Sequence, residues 1–274
     1  MGRKRRRKTP LFLATALTLL LLALAATHRL WLPFFLEHLP AKIREVKLQL
    51  LVPGVREGAQ EGVKHEKITV LRRFMFERGQ DSLKEWEEKV FKGRTVFQVL
   101  EEGGRHYLSC KSQDACTGLY VKAEQPATPD LWLSWKWRAN EFPKKKHPDL
   151  LSSRAEDDFS ARVYVIFLAS NFFRSDVIEY IWDEKFPVGT SVDSPYSERV
   201  KLLVLRNGPA GSEGGGWADE ERNVYEDFKK LFGKAPRNPV GLVALMSDSD
   251  NTQTRASADF AEIVLKRKQP QAAV

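Results

Sequence analysis

"DLWLSWKWR", Asp130 to Arg138, is the stretch whose reading decides the fold. Leu131, Leu133, Trp135 and Trp137 fall on one face at a period of two, with Trp132, Ser134, Lys136 and Arg138 on the other. That alternation belongs to a half-buried β-strand. "ARVYVIFLA", Ala161 to Ala169, is apolar on both faces apart from Arg162 and Tyr164, and reads as a central strand buried on two sides. Working outward, the same test finds strands at Thr95–Leu100, Arg105–Cys110, Thr117–Lys122, Arg199–Arg206, Val240–Ser247 and Ala258–Lys266, several separated by Pro- and Gly-bearing stretches. One helix interrupts them in "NVYEDFKKLFGKAP": Asn223 can cap it, Tyr225, Phe228, Leu231 and Phe232 share a side, and Gly233 and Pro236 end it. Many short strands with one helix predict an all-β domain over residues 67–268, an antiparallel β-sandwich of jelly-roll type, with 269–274 as a disordered tail.

The N-terminus has a different character. Arg3-Lys4-Arg5-Arg6-Arg7-Lys8 precedes "LFLATALTLLLLALAA", Leu11 to Ala26, which carries no charge. The pattern predicts a basic cytoplasmic tail at 1–10 and a membrane-insertion segment at 11–27. The chain beyond residue 27 would then be exported. Two readings stand: a signal peptide cleaved near Ala23-Leu24-Ala25, giving a secreted or periplasmic protein, or an uncleaved signal anchor in the inner membrane. The interfacial aromatics of "LWLPFFL", Leu30 to Leu36, favour the anchor. Residues 28–66 read as a juxtamembrane spacer, the natural place for an envelope protein partner to dock.

The basic hexad also accounts for six of the eight net positive charges, leaving +2 on the rest of the chain. Nucleic-acid binding loses its electrostatic basis. The only two cysteines, Cys110 and Cys116, lie with five residues between them, joining strand-like runs. In an oxidising compartment this predicts a loop closed by one disulfide.

Six blocks between about Phe76 and Lys266 carry a family resemblance: "DLWLSWKW", "EDDFSARVYVIF", "IEYIW", "SPYSERVKLLVLRNG", "RNVYEDFKKLFGKAP" and "VGLVALMSDSDNTQTRASADFAEIVL". In order and spacing the chain resembles the bacterial domain-of-unknown-function family 3047. The resemblance implies an exported sandwich like the galactose-binding and carbohydrate-binding-module proteins, and no established activity.

Polar clusters at strand ends supply the candidate site. Asp248, Asp250 and Asn251 in "LMSDSDNTQT" offer hard oxygens for calcium, or simply form Asx-turns between two strands. Asp157 and Asp158 stand before the central strand, where carboxylates can bind a cation, accept from sugar hydroxyls or act as acid and base. Arg162, inside an apolar strand, calls for a buried carboxylate partner. Arg222 and Asn223 stand at the start of the helix, where an anion is favoured, although Asn223 also serves as a plain cap. Trp182 is an aromatic platform for a sugar or a packing residue. No G-x-S-x-G, Walker, H-E-x-x-H or Rossmann pattern occurs. The chain is therefore expected to be an exported, membrane-tethered module binding carbohydrate. An envelope scaffold and a glycan hydrolase using two of Asp157, Asp158, Asp248 and Asp250 are the alternatives.

Overall fold

The computed structural model describes residues 66–209 and 216–270. Two sheets face each other. The six-stranded sheet holds β1 (Glu66–Phe74), β3 (Val96–Glu102), β4 (Arg105–Gln113), β6 (Leu131–Glu141), β11 (Ala218–Asn223) and β13 (Arg255–Pro270). Its order is β11-β6-β13-β4-β3, with β1 also paired to β13. The seven-stranded sheet holds β2 (Glu87–Lys92), β5 (Cys116–Gln125), β7 (Ala161–Phe167), β8 (Asp176–Asp183), β9 (Ser191–Ser194), β10 (Ser197–Asn207) and β12 (Val240–Met246), in the order β2-β5-β12-β7-β8-β10-β9. Every pairing is antiparallel except β8 with β10.

The alternation seen in sequence sets which side of each strand is buried. Leu131, Leu133, Trp135 and Trp137 of β6 turn inward, together with Val163 and Val165 of β7, Tyr180 of β8 and Phe260 of β13. Trp135 and Tyr180 meet across the sandwich at 5.3 Å between ring centroids. Each such large side chain contributes about 1.5–3 kcal/mol by leaving water. The helix α1 (Val224–Phe232) forms as expected: the Asn223 side chain accepts from the Tyr225 and Glu226 amides, and Gly233 closes it with φ 68°. Its Phe228 packs 4.5 Å from Phe167. The remaining helical content among the described residues is 3₁₀.

Two expectations are corrected. The membrane helix ahead of the sandwich falls on residues 11–27, outside the described residues, and no helix among the described residues is long and apolar enough to cross a membrane. The longest, α1 with nine residues, spans about 14 Å against the roughly 30 Å of a bilayer core. The membrane tether, the membrane partner and the single-pass location therefore find no support among the described residues. The disulfide is withdrawn, because Cys110 and Cys116 are both free thiols. The segment between them is no hairpin: β4 and β5 lie in different sheets, so the chain crosses the sandwich there. Cys110 is sealed in the core, whereas Cys116 faces outward and meets the Met246 sulfur at 3.7 Å.

Candidate functional site

Strand register brings the predicted acids together. β7 and β12 are antiparallel neighbours with Arg162 opposite Met246, so residues before β7 meet residues after β12. Asp158 accepts from the Thr252 amide at 2.6 Å and from the Asn251 amide at 3.2 Å, which fixes the turn into β13. Arg162, on the outer face of β7, uses its whole guanidinium. It donates to both oxygens of Asp248 at 2.8 and 2.7 Å, to Glu179 at 2.6 Å, to the Tyr164 hydroxyl at 3.3 Å and to the Asp157 carbonyl. Arg162 is 3% exposed, and Asp157, Asp158, Glu179 and Asp248 are buried around it.

The electrostatics follow from burial. Asp157, Glu179 and Asp248 all pair with one guanidinium, so the cluster is short of positive charge even with Lys145 nearby. Loss of water, opposed by Arg162, pushes the Asp157 carboxyl up to about 7. Burial holds the Asp248 carboxyl well above the usual carboxylate range, again opposed by Arg162. Asp157 Oδ1 has no hydrogen-bond partner among the described residues. Beside this cluster, ligand atoms of Cys116, Asp248 and Asp250 lie within 4.8 Å of one another, a carboxylate and thiol group of a size that can hold a metal ion. Burial also pushes the Cys116 thiol up, so it keeps its proton.

The other predicted residues go elsewhere. Arg222 and Asn223 pair with Leu133 and Trp132 at the start of β6, the opposite end of the sandwich from Asp158. Arg222 clamps both oxygens of Asp227, which also accepts from the Tyr180 hydroxyl at 2.8 Å. Asn223 is the helix cap. Trp182 is a packing residue, its ring 5.6 Å from that of Trp137 and its indole N–H on the Gly208 carbonyl.

A polar groove of about 680 Å³ lies on the outer face of the six-stranded sheet. Its lining includes Tyr107 and Ser109 of β4, Arg138 and Asn140 of β6, and Ser257 and Asp259 of β13. Each is the outward neighbour of an inward residue such as Leu108, Trp137 or Ala258. Asp259, 3% exposed, accepts through Oδ2 from Arg138 at 2.7 Å and from Asn140 at 2.8 Å. Its Oδ1 has no hydrogen-bond partner among the described residues. Arg138 lies over the rings of Tyr107 and Trp217, at 5.1 and 4.8 Å from their centroids. No local stretch of sequence signals this groove, because its residues come from three strands far apart in the chain.

The family model described as "Protein of unknown function (DUF3047)" matches residues 84–264. The chain belongs to the DUF3047 family. No curated protein matches this DUF3047 chain in sequence. Among solved structures it is similar to the family 11 carbohydrate-binding module of the cellulase Lic26A-Cel5E of Clostridium thermocellum, at 8% identity and TM-score 0.37, covering 77% of this chain and all of that one. It is also similar to the xyloglucanase domain of NopAA from Sinorhizobium fredii, at 11% identity and TM-score 0.37, covering 67% and 93%. A third is the mannan-recognising module TmCBM27, at 8% identity and TM-score 0.35, covering 74% and 99%.

Proposed function

We propose that this DUF3047 sandwich binds carbohydrate in the groove on the outer face of its six-stranded sheet. The observation that carries the reading is Asp259 Oδ1, a buried carboxylate oxygen without a donor among the described residues, at the floor of a polar groove. An unmet buried acceptor costs about 1–3 kcal/mol, and a ligand hydroxyl recovers it. The surroundings suit a sugar: Ser109, Ser257 and Asn140 give and accept hydrogen bonds, and Tyr107 lines the groove beneath Arg138. The acids first expected to touch ligand take a supporting part, since Asp158 shapes the turn that leads into β13. Titration of the full chain against a panel of plant and bacterial polysaccharides tests this. Binding lost in Asp259→Ala and Tyr107→Ala with unfolding midpoints retained supports it, and binding untouched by both variants ends it.

Calcium at Asp248 and Asp250 is the finer reading of the carboxylate and thiol group. Asp250 Oδ1 has no hydrogen-bond partner among the described residues, which favours an ion there. Arg162 already occupies both oxygens of Asp248, and the third donor is a protonated thiol, whereas calcium takes six to eight oxygens. The donor set therefore fits calcium poorly. A midpoint unchanged by calcium or by chelator agrees with that.

Glycan hydrolysis is a second reading, favoured by one observation. A carboxyl raised to about 7 stands in the same buried cluster as Glu179, as an acid poised near neutrality does. Its test is release of reducing ends that disappears in Asp157→Asn. The envelope scaffold rests on residues 28–66, of which 28–65 lie outside the described residues.

A further inference from the structure

The outer face of the seven-stranded sheet carries a second groove of different chemistry. It holds about 530 Å³ and crosses from β2 to β10. Neighbouring strands lie about 4.8 Å apart, so this crossing of six strands runs roughly 24 Å. The floor is aliphatic and aromatic: Tyr164, Ile166, Val177, Leu242, Ala244 and Met246. Gly118 keeps it open, because a Cβ there would stand 3.2 Å from the Met246 methyl. Two large apolar side chains at the groove reach into solvent, Phe91 at 63% and Phe173 at 88% exposed. Apolar surface that stays exposed beside a groove, here with Phe91 at its edge, marks a binding surface.

The lining chooses the ligand. β12, β7 and β8 are interior strands with both neighbours in place, so an added peptide strand has no free edge on which to pair. An occupant rich in amides or hydroxyls would find few partners on this floor and would be desolvated at a cost. A hydrocarbon chain loses nothing there. The charged lining residues are both cationic, Lys89 at the β2 edge and Arg199 at the β10 side. Arg199 is neutralised by Asp176 at 2.7 Å. Lys89 is exposed and forms no ion pair among the described residues, while its neighbour Glu87 accepts from the Tyr120 hydroxyl at 2.7 Å.

We infer that this groove binds a long-chain fatty acid anion, its hydrocarbon laid across β5, β12, β7 and β8 and its carboxylate on Lys89. The site is separate from the sugar groove, which lies on the other sheet, so either can fail alone.

The test titrates the full chain with the fluorescent fatty acid cis-parinaric acid and displaces it with palmitate. The expected result is saturable one-to-one binding, weakened about tenfold or more by Lys89→Glu, the equivalent of one lost charge-assisted contact. Gly118→Leu fills the groove and abolishes binding. Phe173→Ser, at an exposed position, weakens it with the fold intact even where Gly118→Leu misfolds. Asp259→Ala leaves it unchanged. Absence of saturable binding overturns the inference. Displacement by hexadecylamine as effective as by palmitate overturns the anionic head. Displacement by an oligosaccharide gives the groove to a sugar, and a dimer that Phe173→Ser dissociates gives it to a second copy of the chain; both outcomes overturn the fatty acid.

Discussion

Replacing Arg162 with Met removes the guanidinium on which the acidic end of the sandwich is built. The unbranched apolar side chain removes the charge and its hydrogen bonds together. Asp248 loses two hydrogen bonds, Glu179 loses one at 2.6 Å, and the Asp157 carbonyl loses another. All of these residues are buried. Breaking a buried pair from one side costs about 3–5 kcal/mol, because the partner charges stay behind. For a domain of this size that lowers the unfolding midpoint by roughly 6–20 °C. The pH dependence gives a second readout. Without Arg162 the carboxyls of Asp157 and Asp248 rise further in the folded protein, so the folded state binds protons that the unfolded chain does not. Stability of the variant therefore climbs as pH falls from 8 towards 5, and its deficit against wild type shrinks. Urea unfolding across that range measures both effects, and Asp248→Asn closes a double-mutant cycle. A loss under about 1 kcal/mol, or a deficit that grows as the solution is acidified, would refute the reasoning.

Asp157→Asn obeys the same linkage with the sign reversed. A folded-state value of about 7 against an unfolded value near 4 gives wild type a stabilising term that is complete below pH 4 and lost as pH rises through 7, about 4 kcal/mol at most. The neutral Asn keeps no such term, so the stability of the variant relative to wild type should increase between pH 4 and 8 in chemical denaturation. Both cysteines should resist a thiol reagent in the native protein, Cys110 most strongly, and both should label after unfolding. A reductant should leave the midpoint in place. Gly241→Ala should cost about 1–3 kcal/mol by the same denaturation assay, since its Cβ would stand 2.4 Å from that of Leu168.

The clean alternation of β6 and the continuous apolar run of β12 were legible from sequence, and so was α1 with its Asn223 cap. β11 was not: "ADEERN" shows no apolar face because it is an edge strand paired only with β6. β8 hid for a related reason. Its outward Glu179 and Asp183 are buried polar residues, and their partners Arg162 and Lys145 come from other parts of the chain. The cysteine spacing misled because five residues joining two strands read as a hairpin until the strands prove to lie in different sheets. Asp157, Asp158, Asp248 and Asn251 could be named as a cluster since each flanks a recognisable strand. Whether they face a ligand or each other depends on burial, which spacing does not encode. The Asp259 groove needs the register of β13 against both β4 and β6, which places Asp259 opposite Ser109 and Arg138 at once.

These two regions are mechanically one. β13 begins at Arg255, directly after the turn that Asp158 holds through the amides of Asn251 and Thr252. The Asp114 amide binds the Thr254 carbonyl at 3.0 Å, tying the same turn to the end of β4. The buried acids therefore set where Ser257 and Asp259 enter the sheet, a few residues beyond the turn. Asp158→Ala removes the acceptor for two backbone amides, each worth about 1–3 kcal/mol when stranded. It should weaken sugar binding without touching sugar, and the loss should couple to that of Asp259→Ala in a double-mutant cycle. Independent losses would mean that the acidic turn and the groove merely share a strand.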